Sequence, residues 1–210
     1  MPRIIASLLI SAAFAAALLL STGAASATMI ESTFDVDADG WTANVPFSHV
    51  STGGNPGGYF RVGDGASSGT NGFAPPKFLG DLTSFIGGSV SYDLIGISQP
   101  GTTGSPGGNG IIIEGPTDSA LHVFGPTPFP TAWTTFVAPM TAAAWGKTGL
   151  EWSDLLSDVT TIRIGLDATN SSSDIVGMDN FRVTPEPSGI AMAAFGFVAL
   201  VAWGWRRRKR

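Results

Sequence analysis

Ser89-Val90-Ser91-Tyr92-Asp93-Leu94 alternates polar and apolar side chains without a break. Successive side chains of a strand point to opposite faces, so Val90, Tyr92 and Leu94 share one face and Ser89, Ser91 and Asp93 the other. A half-buried strand has this pattern and a helix does not. Thr161-Ile162-Arg163-Ile164-Gly165-Leu166 repeats it through Ile162, Ile164 and Leu166. Ile111-Ile112-Ile113 reads as a strand buried on both faces, and Trp133 to Val137 is rich in β-formers. Further strands are expected near Tyr59 to Val62, Leu121 to Phe124 and Met178 to Val183. Glycine and proline punctuate these runs at short intervals, which predicts an all-β sandwich or barrel.

One short helix is expected, because Trp152, Leu155, Leu156 and Val159 fall at helical spacing with Ser153, Asp154, Ser157 and Asp158 facing out. It would pack over one end of the sandwich. Gly101 to Gly110 reads as a loop from its Gly, Thr, Ser and Pro content. No repeat at a structural period is visible.

Between Thr28 and Pro187 the chain carries 16 acidic residues against five cations: Arg61, Lys77, Lys147, Arg163 and Arg182. This net charge of −11 argues against nucleic acid as a partner, since nothing here would neutralise a row of phosphates. It is compatible with neutral glycans, and with calcium where carboxylates converge. The chain has no cysteine, which excludes thiol catalysis and thiolate metal sites.

The two ends read differently from the middle. Residues 1–27 open with Arg3, continue as an apolar run from Ile4 to Leu20, and end in Ala24-Ala25-Ser26-Ala27. Ala25 and Ala27 fit the small-x-small pattern that signal peptidase requires, so cleavage after Ala27 is expected, with an uncleaved anchor as the alternative. At the other end, residues 184–210 contain Pro185-Glu186-Pro187, an apolar run from about Gly189 to Trp205, and then Arg206-Arg207-Arg208-Lys209-Arg210. The run is at the lower limit for a transmembrane helix. The five terminal cations would stop in the cytoplasm and leave the domain, residues 28–183, outside.

The order of triplet, short apolar helix and basic cluster resembles the PEP-CTERM sorting signal of Gram-negative, biofilm-forming bacteria. The alternative is an ordinary single-pass anchor. The resemblance implies exosortase as the processing partner, transient anchoring in the inner membrane, and a final place at the cell surface or outside it.

Within the middle segment, Gly40-Trp41, Gly53-Gly54-Asn55-Pro56-Gly57-Gly58-Tyr59 and Phe73-Ala74-Pro75-Pro76-Lys77-Phe78-Leu79-Gly80-Asp81 occur in order. Trp133, the Trp152 to Leu156 helix, Val159, Ile162-Arg163 and Met178-Asp179-Asn180 follow. The series resembles the laminin B domain, also called laminin IV type A. It departs from that family in lacking cysteines and epidermal-growth-factor-like neighbours. The resemblance implies a jelly-roll β-sandwich of the galactose-binding-like kind, with first and last strands close together and often a structural calcium held between them. Glu31, Asp39 and Asp179 would then be the metal ligands. Asp35-x-Asp37-x-Asp39-Gly40 resembles the start of an EF-hand loop, but Pro46 stands where the closing glutamate would be. The simpler reading is a solvated acidic turn with Gly40 at positive φ.

Four tryptophans lie in the domain. Trp41 and Trp152 are expected in the core, whereas Trp145, between Ala144 and Gly146 in an expected loop, and Tyr59 are the ligand-binding candidates. No catalytic set emerges. His49, expected in a loop or edge strand, and His122, expected in a strand, have no spacing that suggests a shared metal or a nucleophile–base pair. Glu114 and Asp118 would make a glycosidase pair only if they faced each other across a cleft. The expectation is an exported, non-catalytic β-sandwich that binds extracellular polysaccharide or matrix proteins. A structural matrix component without a ligand, and a glycan hydrolase, are the alternatives.

Overall fold

Eleven strands and one α-helix organise the residues described by the structure, a computed structural model: 27–63, 69–101, 104, 108–125, 128–171 and 173–186. The strands are β1 (Ile30–Ser32), β2 (Thr42–Ala43), β3 (Phe47–Val50), β4 (Tyr59–Gly63), β5 (Asn71–Phe73), β6 (Ser89–Ser98), β7 (Gly110–Glu114), β8 (Ser119–Val123), β9 (Thr134–Pro139), β10 (Thr161–Gly165) and β11 (Ile175–Thr184). The helix, α1, spans Gly149–Ser157. Thr28–Glu186 form one compact unit.

The strands make two antiparallel sheets. One runs β3-β4-β11-β6-β9, with β1 also on β11, and the other runs β2-β5-β10-β7-β8. Alternation decides which side chains go inward. Val90, Tyr92 and Leu94 of β6, Phe60 and Val62 of β4, and Ile162 and Ile164 of β10 are all at most 2 % exposed. The two inner faces meet at Gly72 of β5, where a Cβ would stand 3.6 Å from Phe60 of the other sheet. The Trp41 ring packs edge-on to Phe181, with centroids 4.8 Å apart, and its indole N–H donates to Ser32 Oγ. The fold is a β-sandwich. Ile112 is half-buried between two fully buried neighbours, so β7 alternates and is not covered on both faces as its three isoleucines suggested.

α1 begins in a capping box. The Thr148 hydroxyl accepts from the Glu151 N–H while the Glu151 carboxylate accepts from the Thr148 N–H, which satisfies two N-terminal donors. Trp152, Leu155 and Leu156 turn inward as expected. Val159 is buried but lies past the helix, in a bridge to Gly80.

Ala25, Pro187, the apolar tail and the Arg206 to Arg210 cluster lie outside the described residues, as does part of the Gly101 to Gly110 loop. Among the described residues no helix is long and apolar enough to cross a membrane. Pro185 and Glu186 continue beyond β11, with the Glu186 carboxylate beside Gly87.

Candidate functional site

β11 is the strand on which the site is built. Its far half pairs β4 as far as Met178 opposite Phe60, and its near half pairs β1 from Phe181 opposite Ser32. Asp179 and Asn180 stand at the break between these partners. On the other side β11 bulges against β6 between Asp179 and Arg182, with Asn180 at φ 50°. Asparagine tolerates this left-handed conformation better than most residues.

The loop before β4 fills the break. The Asn55 N–H donates to Asp179 Oδ2 at 2.6 Å, and the Asn180 N–H donates to Asp179 Oδ1 at 2.7 Å. Asp93, directly opposite Asp179 on β6, accepts from Asn180 Nδ2 at 2.8 Å and Asn55 Nδ2 at 3.1 Å, and from the Thr135 hydroxyl. Two carboxylates side by side repel each other. Four donors from Asn55 and Asn180 offset that repulsion and lock the loop to the sheet. A Cβ at Gly54 would come within 2.7 Å of Asp179 Oδ2, so the close approach of this loop depends on glycine. Burial pushes the Asp179 carboxyl up to about 6, with Asp93 and Asp35 adding to the rise and the two N–H donors opposing it.

Trp133 lies on the outer face of the same sheet. It immediately precedes β9 and, continuing the register of Leu94 with Thr134, stands level with Ile95. Its indole N–H donates to the Gly53 carbonyl at 2.9 Å, and its ring meets Tyr59 edge-on at 5.5 Å between centroids. The ring reaches over Gly177, where an added Cβ would stand 2.9 Å from Cη2. Trp41, Trp145 and Trp152 are 1, 4 and 1 % exposed, whereas Trp133 is only partly covered. Tyr59, outward on β4, is half-buried beside it.

Trp145 is therefore not a ligand platform. It closes a short 3-10 turn, Ala142–Trp145, with its ring stacked 5.2 Å from Trp152 and its N–H on the Pro139 carbonyl. A ring sandwiched in this way has no free face.

The three expected metal ligands do not make one site. Lys77 Nζ donates to the Glu31 carbonyl at 2.6 Å and pairs with the Asp39 carboxylate, so an ammonium joins these two groups. The Glu31 carboxylate pairs with Arg182, and both Asp179 oxygens accept backbone N–H groups. Among the described residues no group of three or more His, Asp or Glu side chains is placed to hold a metal ion. Gly40 has φ 79°, as the acidic-turn reading expects.

Glu114 and Asp118 are likewise spoken for, pairing with Arg163 and Lys147. His49 lies in edge strand β3 and bonds the Phe34 carbonyl through Nε2, and His122 lies in β8 with Nδ1 on the Ala144 carbonyl. Asp93 and Trp133 are the functional candidates that sequence reasoning passed over. Asp93 occupied an ordinary outward position of the alternation, and Trp133 an ordinary strand start.

No family model and no curated protein matches the chain. Among solved structures, an exo-β-agarase is similar with a TM-score of 0.55 at 15% identity, over 76% of this chain and 25% of the enzyme. The chain thus spans about a quarter of that protein, and the likeness is one of fold. The L4b domain of human laminin α-2 is similar at a TM-score of 0.45 and 20% identity, over 54% of this chain and 69% of the domain. A xylan-binding domain is similar at a TM-score of 0.36 and 11% identity, over 75% of this chain and 95% of the domain.

Proposed function

We propose that the chain is an exported, non-catalytic polysaccharide-binding protein whose sandwich holds a glycan against the outer face of its six-stranded sheet. Trp133 carries this reading. Its ring is kept out of the core, reaches over a glycine and is fixed at its N–H by the Gly53 carbonyl. Packing alone does not call for an indole there. A pyranose presents a face of C–H groups that packs on such a ring, and a ring already immobilised loses little entropy on binding.

The side-by-side carboxylates support a binding role over a catalytic one. Asp93 and Asp179 have their oxygens taken up by Asn55, Asn180 and Thr135, which fixes the loop that in turn fixes Trp133. A structural calcium has no part in this reading, because Lys77 already bridges the Glu31 carbonyl and Asp39. The same proposal takes the connectivity as a jelly roll and residues 1–27 as a signal peptide. It takes the Pro-Glu-Pro tail as an exosortase address that delivers the domain to the surface or biofilm matrix.

Native gel electrophoresis of the full chain through gels cast with soluble polysaccharides tests it. Agarose-type galactan belongs in the panel because an exo-β-agarase shares the fold. Retardation by one or more polysaccharides, lost in Trp133→Ala, is expected. Unretarded migration in every gel would leave a structural matrix component as the better account.

A further inference from the structure

We infer that Arg61 makes this sheet face selective for polysaccharides that carry carboxylate groups. The inference rests on the reading of the face as a glycan-binding surface and names its ligand class.

Phe60 and Val62 of β4 point into the core, so Tyr59 and Arg61 point outward. Arg61 pairs in register with Gly177, and Gly177 with Ile95. Arg61, Gly177, Ile95 and Trp133 thus form one row across the sheet, with the indole reaching over Gly177 towards Arg61. A pyranose stacked on the indole would present its edge substituents to the guanidinium.

Arg61 also stands apart from the other cations of the unit. Lys77, Lys147, Arg163 and Arg182 each pair with a carboxylate. Arg61 has no ion pair among the described residues, in a unit with 16 acidic side chains. Of the acids on its own sheet face, Asp93 and Asp179 are occupied by Asn55, Asn180 and Thr135, and Glu31 by Arg182. The half-buried guanidinium, at the β3 end of this row beside Phe47, Ser48 and Ile175, has no carboxylate partner among the described residues. A carboxylate matches its planar fork of donors bidentately, and the charge-assisted pair is stronger than bonds to neutral hydroxyls. The net charge of −11 opposes a polyanion at long range, but physiological salt screens interactions beyond about 8 Å, so the contact pair decides selectivity.

The test measures binding of the full chain, at physiological ionic strength, to polygalacturonate, alginate and hyaluronate and to their carboxyl-reduced counterparts, with agarose as a neutral reference. At least one carboxylated chain should bind about tenfold or more tightly than its reduced form. Arg61→Gln should abolish that preference, and Arg61→Lys should keep part of it, with both variants retaining the wild-type urea midpoint. Equal binding of charged and reduced chains, or of neutral agarose alone, with Arg61→Gln without effect, would overturn the inference and leave the glycan-binding reading standing. Binding to none of the polysaccharides would overturn both.

Discussion

Gly177 lies against the outer corner of the Trp133 indole: a Cβ built at Gly177 would stand 2.9 Å from Cη2 of the ring and 3.0 Å from Cδ2 of Tyr59. Ile95 Cγ2 stands equally close at 2.9 Å, and these three nearest atoms all belong to side chains, so an alanine would press on Ile95 and displace the rings. Gly177→Ala should therefore cost about 1 kcal/mol of stability, at the low end for overpacking. It should weaken polysaccharide binding far more than that loss suggests. Urea denaturation and gel retardation on the same variant separate the two effects.

The two classes of tryptophan should respond oppositely to truncation. Trp152 is 1 % exposed and its N–H bonds the Met140 carbonyl, so Trp152→Ala should cost about 3–5 kcal/mol. Trp133→Ala should cost less than half of that and abolish binding. Chemical denaturation of both variants checks this. Equal losses of stability would make Trp133 a packing residue.

Lys77 ties the first strand to the acidic turn. Its ammonium joins the Glu31 carbonyl to the Asp39 carboxylate, both near the surface. Lys77→Met should lower stability by about 1 kcal/mol, the upper end for an exposed pair. Chelation of divalent cations should leave the wild-type melting temperature unchanged. A clear fall in that temperature on chelation, restored by calcium, would contradict the assignment.

The Asp179 carboxyl is held near 6 by burial, against an ordinary 3.8. The folded chain therefore binds this proton more tightly than the unfolded chain does. The resulting stabilisation is fully present below about pH 4 and is lost as pH rises through about 6. Asp81, Asp118 and Glu151 act in the opposite sense, below their own ordinary values. Hydrogen bonds from Thr83, Lys147 and Thr148, respectively, hold these carboxyls low. Urea midpoints measured from pH 4 to 7 should fall across that window, and Asp179→Asn should flatten the slope.

The strands were legible because each carries its own period. Ser89 to Leu94 and Thr161 to Leu166 alternate over enough residues to declare a buried face, and β6 and β10 follow them. Trp152, Leu155 and Leu156 declared the helix in the same way, although Val159 continued the spacing after the chain had left the helix. What was not legible depends on contacts between distant segments. Trp145 sits between two small residues with no period to reveal a face, and only Trp152 stacked against it shows that it points inward. Trp133 faces outward because Gly177, on another strand, leaves room for its ring. Asp93 looks like any polar residue of an alternating strand until the register sets it opposite Asp179. The Gly53 to Tyr59 and Phe73 to Asp81 segments stood out by composition. Their roles, locking a loop to two carboxylates and supplying Lys77 to the first strand, appear only in the folded chain.

Intrinsic fluorescence tests the central claim most directly. Trp133 is the one tryptophan among the described residues with an accessible ring, so a glycan laid on it changes its emission and leaves Trp41, Trp145 and Trp152 unaffected. Titration of the full chain with a retarding polysaccharide should give a saturable change that disappears in Trp133→Phe. A saturable change of the same size in Trp133→Phe would place the ligand elsewhere and contradict the account.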